Sequence, residues 1–287
     1  MVDLHIHTNC SDGTKDWKFI LREAERLGLS HISITDHNNC DVYFKMKNPG
    51  KYFSGKIISG VEPECYYKGR LIELLGYGFD VKKMAKLLKG VHRPFSEVAD
   101  IKLRFLHETL VKMGAKFSDN ILDGYTKQSK YYYSSCYLLA DMKKYPDINR
   151  KFVHDQESWD DGIKFFRKHM CDKDSPLYFD HSTAYPSAEK IHKLIKQAGG
   201  KVFIPHIFMF EEDSVPFLES LVKEFDIDGV ECYYPKHTKE QTKFLLEFCK
   251  KNNLLVSAGS DFHGKPNYAK SIGTKVGAND VGWVEEY

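Results

Sequence analysis

Short runs of apolar and β-branched residues recur along the chain, and most of them end in polar side chains that can bind metals or protons. Seven such runs lie at residues 2–7, 31–37, 56–62, 71–79, 201–208, 228–234 and 254–262. Their length and composition predict buried strands. Helical patterns lie between several of them, and strands that alternate with helices are typical of parallel βαβ units. About seven such strands predict a closed α/β barrel rather than an open sheet.

Three of the intervening helices can be predicted with their ends. In residues 16–28 apolar positions follow a helical spacing, Asp16 is a candidate N-cap, and Gly28 ends the helix. The same reasoning predicts helices at 187–198 and 239–251. The helices would cover the outside of the predicted barrel.

The stretch from 81 to 194 does not follow this alternation. Its apolar spacing is helical, and it contains many lysines and the consecutive tyrosines Tyr131, Tyr132 and Tyr133. We therefore expect a barrel formed by 1–80 and 195–287, with a helical insertion at 81–194. Long connections at barrel rims often act as lids, so we expect the insertion to shape the substrate pocket. A helical subdomain that only packs is the alternative.

Composition limits the class of protein. A chain of 287 residues with 42% hydrophobic residues can bury a substantial core. The balance of 42 basic and 40 acidic residues argues against a membrane-surface protein or one with a stable nucleic-acid partner, so a local patch must meet any anionic substrate. Seven cysteines without CxxC spacing predict reduced thiols and a cytoplasmic location. No signal peptide or membrane span is expected.

Metal-binding residue types cluster at the predicted strand ends. His5 and His7 lie two positions apart, so both imidazoles point to one face of the first strand. Further imidazoles and carboxylates at strand ends or adjacent turns are Asp12, His37, Glu62, Glu64, His206, Asp261 and His263. Burying so many without cations would be costly because of desolvation and like-charge repulsion. The pattern predicts a metal centre, in which Asp36 is expected to orient the ring of His37.

Several motifs carry a resemblance to a known family. The runs DLHIHTNCSDGT, SITDHN, GVE, LLGYGFD and GSDFHG are similar to those of the PHP family, the polymerase and histidinol phosphatase superfamily. Together with GVECYYPKHTKEQ at 229–241, they resemble the small metal-dependent phosphoesterases that include nucleoside 3′,5′-bisphosphate phosphatases. The resemblance covers about 1–80 and 195–270, and it implies a distorted (β/α)7 barrel that holds up to three metals.

The resemblance also implies the ligand sets. His5, His7, Glu62 and Asp261 would surround the first metal, Glu62 and His206 the second, and Asp12, His37 and His263 the third. The chain departs from the family at Glu73, where a histidine is usual, and this predicts a preference for manganese, iron or magnesium over zinc. A second departure is that Tyr132–Tyr137 replaces a Gly-Arg-Pro-His segment.

The expected reaction is hydrolysis of a phosphomonoester, either a nucleotide or a small metabolite, by a metal-bound hydroxide. Two or three divalent ions, manganese, iron or zinc, would activate water and stabilise the leaving oxygen. Asp261, Glu62 and His263 are the expected catalytic residues. The candidates for contacting phosphate are Lys236, His237, Arg93 and His181.

Other functions remain open from the sequence. A histidinol-phosphate-type phosphatase or an exonuclease would use the same motifs. Amidohydrolases also begin with an HxH strand and end with an aspartate strand, but Asp12, His37 and His263 favour the phosphoesterase, as does the lack of an apparent eighth strand. A barrel that binds metal or partners without turnover is the third class.

Overall fold

The computed structural model describes residues 1–125, 134–266 and 268–287, and it divides the chain into two compact units. The first unit comprises 1–65, 72–91 and 187–287, and the second comprises 66–71 and 92–186. The second unit is therefore shorter than the insertion proposed at 81–194. Tyr131, Tyr132 and Tyr133 lie outside the described residues.

Nine strands occur in the described residues. They are β1 (Val2–Ile6), β2 (His31–Ile34), β3 (Lys56–Val61), β4 (Glu64–Tyr67), β5 (Arg70–Glu73), β6 (Leu75–Tyr77), β7 (Lys201–Ile204), β8 (Gly229–Tyr233) and β9 (Leu255–Ala258). Seven of them form one sheet in the order β1-β2-β3-β6-β7-β8-β9, and β4 pairs with β5. The backbone N–H of His7 donates to the carbonyl of Phe262 just after β9, so the two edges of the sheet meet. The α/β barrel is confirmed.

One strand runs against the others. The pairs β1–β2, β2–β3, β7–β8 and β8–β9 are parallel, whereas β6 is antiparallel to both β3 and β7. The chain returns from β3 to β6 through the β4–β5 hairpin, and no helix crosses over, so antiparallel pairing is the available geometry. The expectation of one parallel strand at 71–79 is therefore wrong, because this run splits into β5 and β6.

Thirteen α-helices occur in the described residues. They are α1 (Trp17–Arg26), α2 (Asp41–Lys45), α3 (Val81–Leu88), α4 (Phe95–Lys112), α5 (Ile121–Tyr125), α6 (Ser134–Met142), α7 (Pro146–Asn149), α8 (Gln156–Asp160), α9 (Gly162–Phe165), α10 (Ala188–Gln197), α11 (Ser214–Glu224), α12 (Lys239–Asn252) and α13 (Ala278–Val281). Short 3-10 turns occur at Pro49–Lys51, Arg150–Phe152, His181–Thr183, Ile207–Asp213 and Trp283–Glu286, and a π-helical turn at Phe166–Met170. None is long and apolar enough to cross a bilayer.

The three helices predicted with their ends are confirmed. The carboxylate of Asp16 accepts a hydrogen bond from the backbone N–H of Phe19 and caps α1. Ser187 caps α10 in the same way. Thr238 and Gln241 form a capping box at the start of α12. These caps satisfy backbone donors that would otherwise be unpaired, which explains why local sequence sufficed to place them.

The two sides of β1 have different partners. Val2, Leu4 and Ile6 pack in apolar clusters of the first unit. The side chains between them face polar groups: Asp3 accepts hydrogen bonds from the backbone N–H groups of Ser260 and Gly273, and His5 contacts carboxylates. Because successive side chains of a strand point to opposite faces, β1 separates an apolar exterior from a polar interior.

Helices dominate the second unit, which has an apolar core of its own. Leu103, Leu106 and Leu110 of α4 are almost completely buried, together with Leu138 of α6 and Phe165 of α9. Their spacing along α4 is the i, i+3, i+7 pattern of a helix that buries one face. The unit is therefore a packed body and not an extended loop.

Candidate metal centre

Strand ends position the candidate side chains of the first unit. His5 lies on β1 and His7 follows it, Glu62 follows β3, His206 follows β7, and Asp261 follows β9. Glu73 precedes β6, and because β6 is antiparallel, its start lies at the edge where the parallel strands finish. The reversed strand thus brings Glu73 to the same rim.

The first group of converging atoms belongs to His5, His7, Glu62 and Asp261. The Nε2 atoms of His5 and His7 are 3.1 Å apart. Oε2 of Glu62 lies 3.1 and 3.0 Å from these two nitrogens. Oδ1 of Asp261 lies 3.5 and 3.3 Å from them. Ligand atoms about 2.1 Å from one ion stand about 3.0 to 3.4 Å from each other, so the four groups fit a single cation.

A second group combines Glu62, Glu73 and His206. Nε2 of His206 lies 3.2 Å from Oε1 of Glu62 and 3.7 Å from Oε2 of Glu73. Glu62 therefore turns one carboxylate oxygen to each of the first two groups, which is the arrangement of a bridging carboxylate. Glu73 lies where the family usually has a histidine, and it is close enough to serve in that place.

A third group contains His7, Asp12, His37 and His263. Oδ1 of Asp12 is 3.0 Å from Nε2 of His263 and 3.8 Å from Nε2 of His37. Nδ1 of His7 is also 3.8 Å from this oxygen. Among the described residues, this buried Nδ1 has no hydrogen-bond partner, a costly state for a polar atom. A cation beside Asp12 would satisfy it.

The carboxylates control protonation of the cluster. Burial by itself would lower the pKa of His7, but the carboxylates of Asp261 and Glu62 raise it to about 10. Burial likewise opposes protonation of His206, and Glu62 and Glu73 raise its pKa to about 9. Burial would raise the pKa of Glu62, yet His5 and His37 hold it well below its usual range. In the absence of metal the cluster therefore retains protons, which a cation would displace.

The pKa of Glu73 is shifted in the opposite direction to that of Glu62. Burial and the neighbouring carboxylate of Glu62 both raise its pKa. Two carboxylates that share one site cannot easily both be ionised without a compensating charge. A divalent cation between them would remove this penalty.

Backbone conformation at the cluster is strained. Asp261 has a φ of 54° and His206 a φ of 21°, both on the left-handed side that non-glycine residues seldom adopt. Such strain persists where surrounding contacts hold it and is concentrated at functional sites. Here it turns two side chains from strand ends into the cluster.

Sequence reasoning missed Glu231, which lies in the middle of β8. Its Oε1 is 2.9 Å from Nδ1 of His5, and its Oε2 accepts a hydrogen bond of 2.9 Å from the backbone N–H of His206. The side chain is completely buried. Glu231 thus orients a residue from each of the first two groups. Its place within the GVECYY motif was the available signal.

Three further side chains contact residues of the cluster and were not predicted from the sequence. Tyr234 donates from its hydroxyl to Oδ2 of Asp261 at 3.2 Å. Nζ of Lys265 is 2.8 Å from Oδ2 of Asp12, and the ring of Tyr268 stacks on His263 at 3.8 Å.

The expected role of Asp36 is wrong. Its carboxylate accepts hydrogen bonds from the backbone and hydroxyl of Thr8 and from the hydroxyl of Ser11. It therefore holds the loop after β1, whereas Nδ1 of His37 lies 3.2 Å from the carbonyl oxygen of Glu62. Glu64, expected beside Glu62, accepts a hydrogen bond from Asn38.

The four candidates for contacting phosphate fall in both units. In the first unit, Lys236 lies over the ring of Tyr268, and His237 is 3.2 Å through Nδ1 from the carbonyl of Cys232. In the second unit, exposed Arg93 is ion-paired with Glu97. His181 is completely buried there. Two of the four candidates therefore belong to each unit.

Comparisons with known proteins agree with the fold. The PHP domain family model matches residues 3–256. The chain is 23% identical to phosphoribosyl 1,2-cyclic phosphate 1,2-diphosphodiesterase of Eggerthella lenta, over 96% of the chain and 99% of the relative. It is 25% identical to 5′-3′ exoribonuclease of Haemophilus influenzae, over 91% of the chain and 89% of that relative.

Two solved structures share the fold. One, from Bifidobacterium adolescentis, is named as a candidate metal-dependent phosphoesterase; it superposes with a TM-score of 0.61 at 19% identity and covers 98% of this chain and 94% of its own. The other is an amidohydrolase from Chromobacterium violaceum, with a TM-score of 0.68 at 20% identity. The match covers 95% of this chain and 90% of the amidohydrolase chain.

The class defined by the barrel and its histidine and carboxylate cluster is a metal-dependent hydrolase. The chain belongs to the PHP domain family, whose model spans nearly all of it. As a member of this family the chain is a phosphoesterase. Its histidine and carboxylate cluster is consistent with the binding of divalent cations.

Proposed function

We propose that the protein hydrolyses a phosphomonoester, a nucleotide or a small metabolite, at the centre formed by the three groups. The observation that carries the proposal is the position of Glu62, whose two carboxylate oxygens face different groups. This arrangement suits closely spaced cations, and phosphoester hydrolysis is one of the main reactions that such cations catalyse.

The cofactors we propose are two or three divalent ions. His5, His7, Glu62 and Asp261 would hold the first. Glu62, Glu73 and His206 would hold the second. Asp12, His37 and His263 would hold the third. The carboxylate of Glu73 favours manganese or iron over zinc at the second position, since oxygen is the harder ligand. Such ions make water acidic enough to ionise near neutral pH and offset charge on the phosphoryl oxygens.

The residues of the chain have separate roles in this proposal. Glu62 and Asp261 supply the negative charge of the first group, and the hydroxyl of Tyr234 holds Asp261 in place through Oδ2. Glu231 fixes the ring of His5 through Nδ1, so that Nε2 faces the centre. His263 faces Asp12, whose other oxygen is paired with Lys265. These contacts fix the side chains of the centre before substrate binds, which lowers the free-energy cost of reorganising them during the reaction.

Substrate contacts complete the proposal. Lys236 and His237 are in the same unit as the centre and would meet the anionic substrate. Arg93 and His181 belong to the second unit, which we propose as the lid that determines substrate choice. Exchange of residues 92–186 for the equivalent part of a relative should change the preferred substrate and leave cation binding intact.

A phosphodiester substrate is the second candidate. It is favoured by the names of the two relatives, one a cyclic phosphodiesterase and the other an exoribonuclease. Hydrolysis of C–N bonds has only the fold of the Chromobacterium amidohydrolase in its favour. The seven free cysteines also support our proposal of a reducing, cytoplasmic location.

The test is a substrate panel with the metal content measured alongside. Purified protein should hydrolyse an aryl phosphate or a mononucleotide, lose turnover after dialysis against a chelator, and regain it on addition of Mn²⁺. A cyclic phosphodiester, a short oligoribonucleotide and an amide complete the panel. Full activity after complete removal of metal would contradict the proposal, and turnover of the amide alone would favour the amidohydrolase alternative.

A further inference from the structure

The three groups of the centre differ in the negative charge that they offer to a cation. Among the described residues, the first and second groups each contain two carboxylates, with Glu62 shared between them, whereas the third contains Asp12 alone. The other members of the third group are imidazoles, which are neutral when they bind a metal. The third group therefore compensates the charge of a divalent ion least.

Carboxylates of the first group do reach imidazoles of the third group, but at their Nδ1 atoms. Oε2 of Glu62 is 3.4 Å from Nδ1 of His37, and Oδ1 of Asp261 is 3.3 Å from Nδ1 of His263. The Nε2 atoms of the same two rings face Asp12, at 3.8 and 3.0 Å. Asp12 thus supplies the carboxylate for a cation bound at these Nε2 atoms.

A lysine reduces the negative charge of Asp12. Nζ of Lys265 lies 2.8 Å from Oδ2 of Asp12, while Oδ1 of the same carboxylate faces the imidazoles. Because the two oxygens have separate partners, the ion pair can persist when Oδ1 binds a cation. A positive charge beside a ligand repels a divalent ion, and since the two side chains are 30% and 23% exposed, water screens this repulsion without removing it.

Backbone contacts hold this lysine beside Asp12. Thr14 donates its backbone N–H to the carbonyl oxygen of His263 at 2.9 Å and its hydroxyl to that of Gly264 at 3.1 Å. Gly264 has a φ of 68°, and a Cβ atom there would lie 2.2 Å from Oγ1 of Thr14. The turn that carries Lys265 is therefore fixed to the loop that carries Asp12, and the ion pair follows from the fold.

A second ammonium group lies close to the first. The Nζ atoms of Lys265 and Lys236 are 5.7 and 5.3 Å from the centre of the Tyr268 ring. This ring stacks on His263 at 3.8 Å. A phosphoryl group carries the negative charge that the third group lacks, and the flexible four-carbon side chain of Lys265 allows it to exchange Asp12 for a phosphoryl oxygen.

We propose that Lys265 couples cation binding at the third group to the phosphoryl group of the substrate. Without an anion, Lys265 stays paired with Asp12 and the third cation binds weakly. When a phosphoryl group enters the centre, Lys265 pairs with it, Asp12 regains its full charge, and the third cation binds tightly. This inference rests on the proposed phosphoesterase function and adds a link between one of its cofactors and its substrate.

The experiment measures cation binding separately from turnover, with orthophosphate as the probe because it has no ester bond to hydrolyse. Metal-free protein is titrated with Mn²⁺, with and without orthophosphate, and the free ion is measured by its electron paramagnetic resonance signal. Asp12→Asn identifies the binding step of the third group, which should be lost in that variant. Lys265→Gln removes the charge and keeps a donor for Asp12, whereas Lys265→Arg keeps the charge. Lys270→Gln, at an exposed lysine of the same connection, is the matched control.

In the unmodified protein, orthophosphate should lower the Kd of the third step about 10-fold, and Mn²⁺ should tighten orthophosphate binding by the same factor. Without orthophosphate, Lys265→Gln should bind the third ion about 5-fold more tightly than the unmodified protein, since one opposing charge is gone. Orthophosphate should then change its Kd by less than about 3-fold, because the coupling charge is missing. Lys265→Arg and Lys270→Gln should retain the full effect of orthophosphate.

Three results would overturn the proposal. The first is an unchanged or weaker third step in Lys265→Gln, or an unchanged response of that variant to orthophosphate. The second is an equal change in Lys270→Gln, because the effect would then be one of general charge. The third is the lack of a third binding step in the unmodified protein when orthophosphate is present.

The two proposals fail in different ways. Hydrolysis of an aryl phosphate by a protein whose third step does not respond to orthophosphate would remove the coupling and leave the phosphoesterase. Coupling through Lys265 in a protein that hydrolyses no phosphoester after loading with Mn²⁺ would remove the phosphoesterase proposal instead.

Discussion

Buried histidines occur in both compact units, and their neighbours favour a protonated imidazole in the first unit and a neutral one in the second. In the first unit, carboxylates surround His7 and raise its pKa to about 10 despite burial. In the second unit, burial is the main cause that lowers the pKa of His181 to about 3, and Lys102 adds to it. The ring of His181 lies near those of Phe166, Phe179 and Tyr185. Both imidazoles are completely buried, so burial does not distinguish them.

The difference shows what makes a cation site. An apolar enclosure favours the neutral imidazole, whereas an enclosure of carboxylates requires positive charge, from protons or from metal. The carboxylates of the first unit are therefore the determinants of the centre, and histidines alone would not define it. Substitutions at four positions test this comparison, from the largest expected effect to the smallest.

Glu62→Gln should cause the largest loss. The substitution keeps the shape of the side chain but removes the charge shared by the first two groups. We expect metal content to fall by at least one ion and kcat/KM to fall at least 100-fold, beyond the roughly 10–100-fold typical of groups one layer further out. Metal analysis and aryl phosphate kinetics measure this. Glu286→Gln, an exposed change in the same unit, is the control, and normal metal content in Glu62→Gln would contradict a bridging role.

Glu73→Ala should lose one metal ion and at least about 10–100-fold in rate, the range that loss of a group one layer further out already produces. Glu73→His should retain its metals and shift the activation profile from manganese towards zinc, since imidazole is a softer ligand. Both follow from the position of Glu73 beside Glu62 and His206. Metal stoichiometry and activation by each ion are the measurements. Unchanged stoichiometry and rates in both variants would exclude Glu73 from the centre.

Glu231→Gln should have a smaller effect, about 10-fold in metal affinity, at the low end for a residue that orients a ligand. The amide oxygen can still accept a hydrogen bond from Nδ1 of His5, but it no longer strengthens the basicity of that ring. Glu231→Ala should cost more because it leaves the ring unoriented. Competition with a metal-binding dye would measure affinity; if glutamine and alanine were equivalent, Glu231 would have only a packing role.

His181→Phe should change stability in acid and have little effect near neutral pH. The pKa of His181 is about 3 in the folded chain, below its ordinary value of 6.5, so the unfolded chain binds the proton more readily. Its effect on stability is absent above pH 6.5 and becomes a penalty as the pH falls towards 3, of up to about 1.4 kcal/mol per pH unit. Phenylalanine removes this penalty. The melting temperatures of the variant and the unmodified protein, measured between pH 4 and 7, should differ most at pH 4 and converge as the pH approaches 7. A difference that stays constant with pH would contradict the lowered pKa of His181.

The sequence alone determined the local features of the protein. Apolar spacing with the caps Asp16, Ser187 and Thr238 predicted three helices, because capping involves residues three positions apart. Alternation along β1 placed His5 and His7 on one face for the same local reason. The motifs at the strand ends also indicated the family, which the match over residues 3–256 establishes.

Tertiary structure decided the contacts between distant parts of the chain. His5 and Glu231 are 226 positions apart, and no periodicity within either strand relates them. The reversal of β6, which carries Glu73 to the rim, results from the hairpin before it and from pairing with β3 and β7. Asp36 turned to Thr8 and Ser11 because a neighbouring strand end offered donors. Such choices depend on which groups the closed sheet brings together, and closure is a property of all seven strands at once.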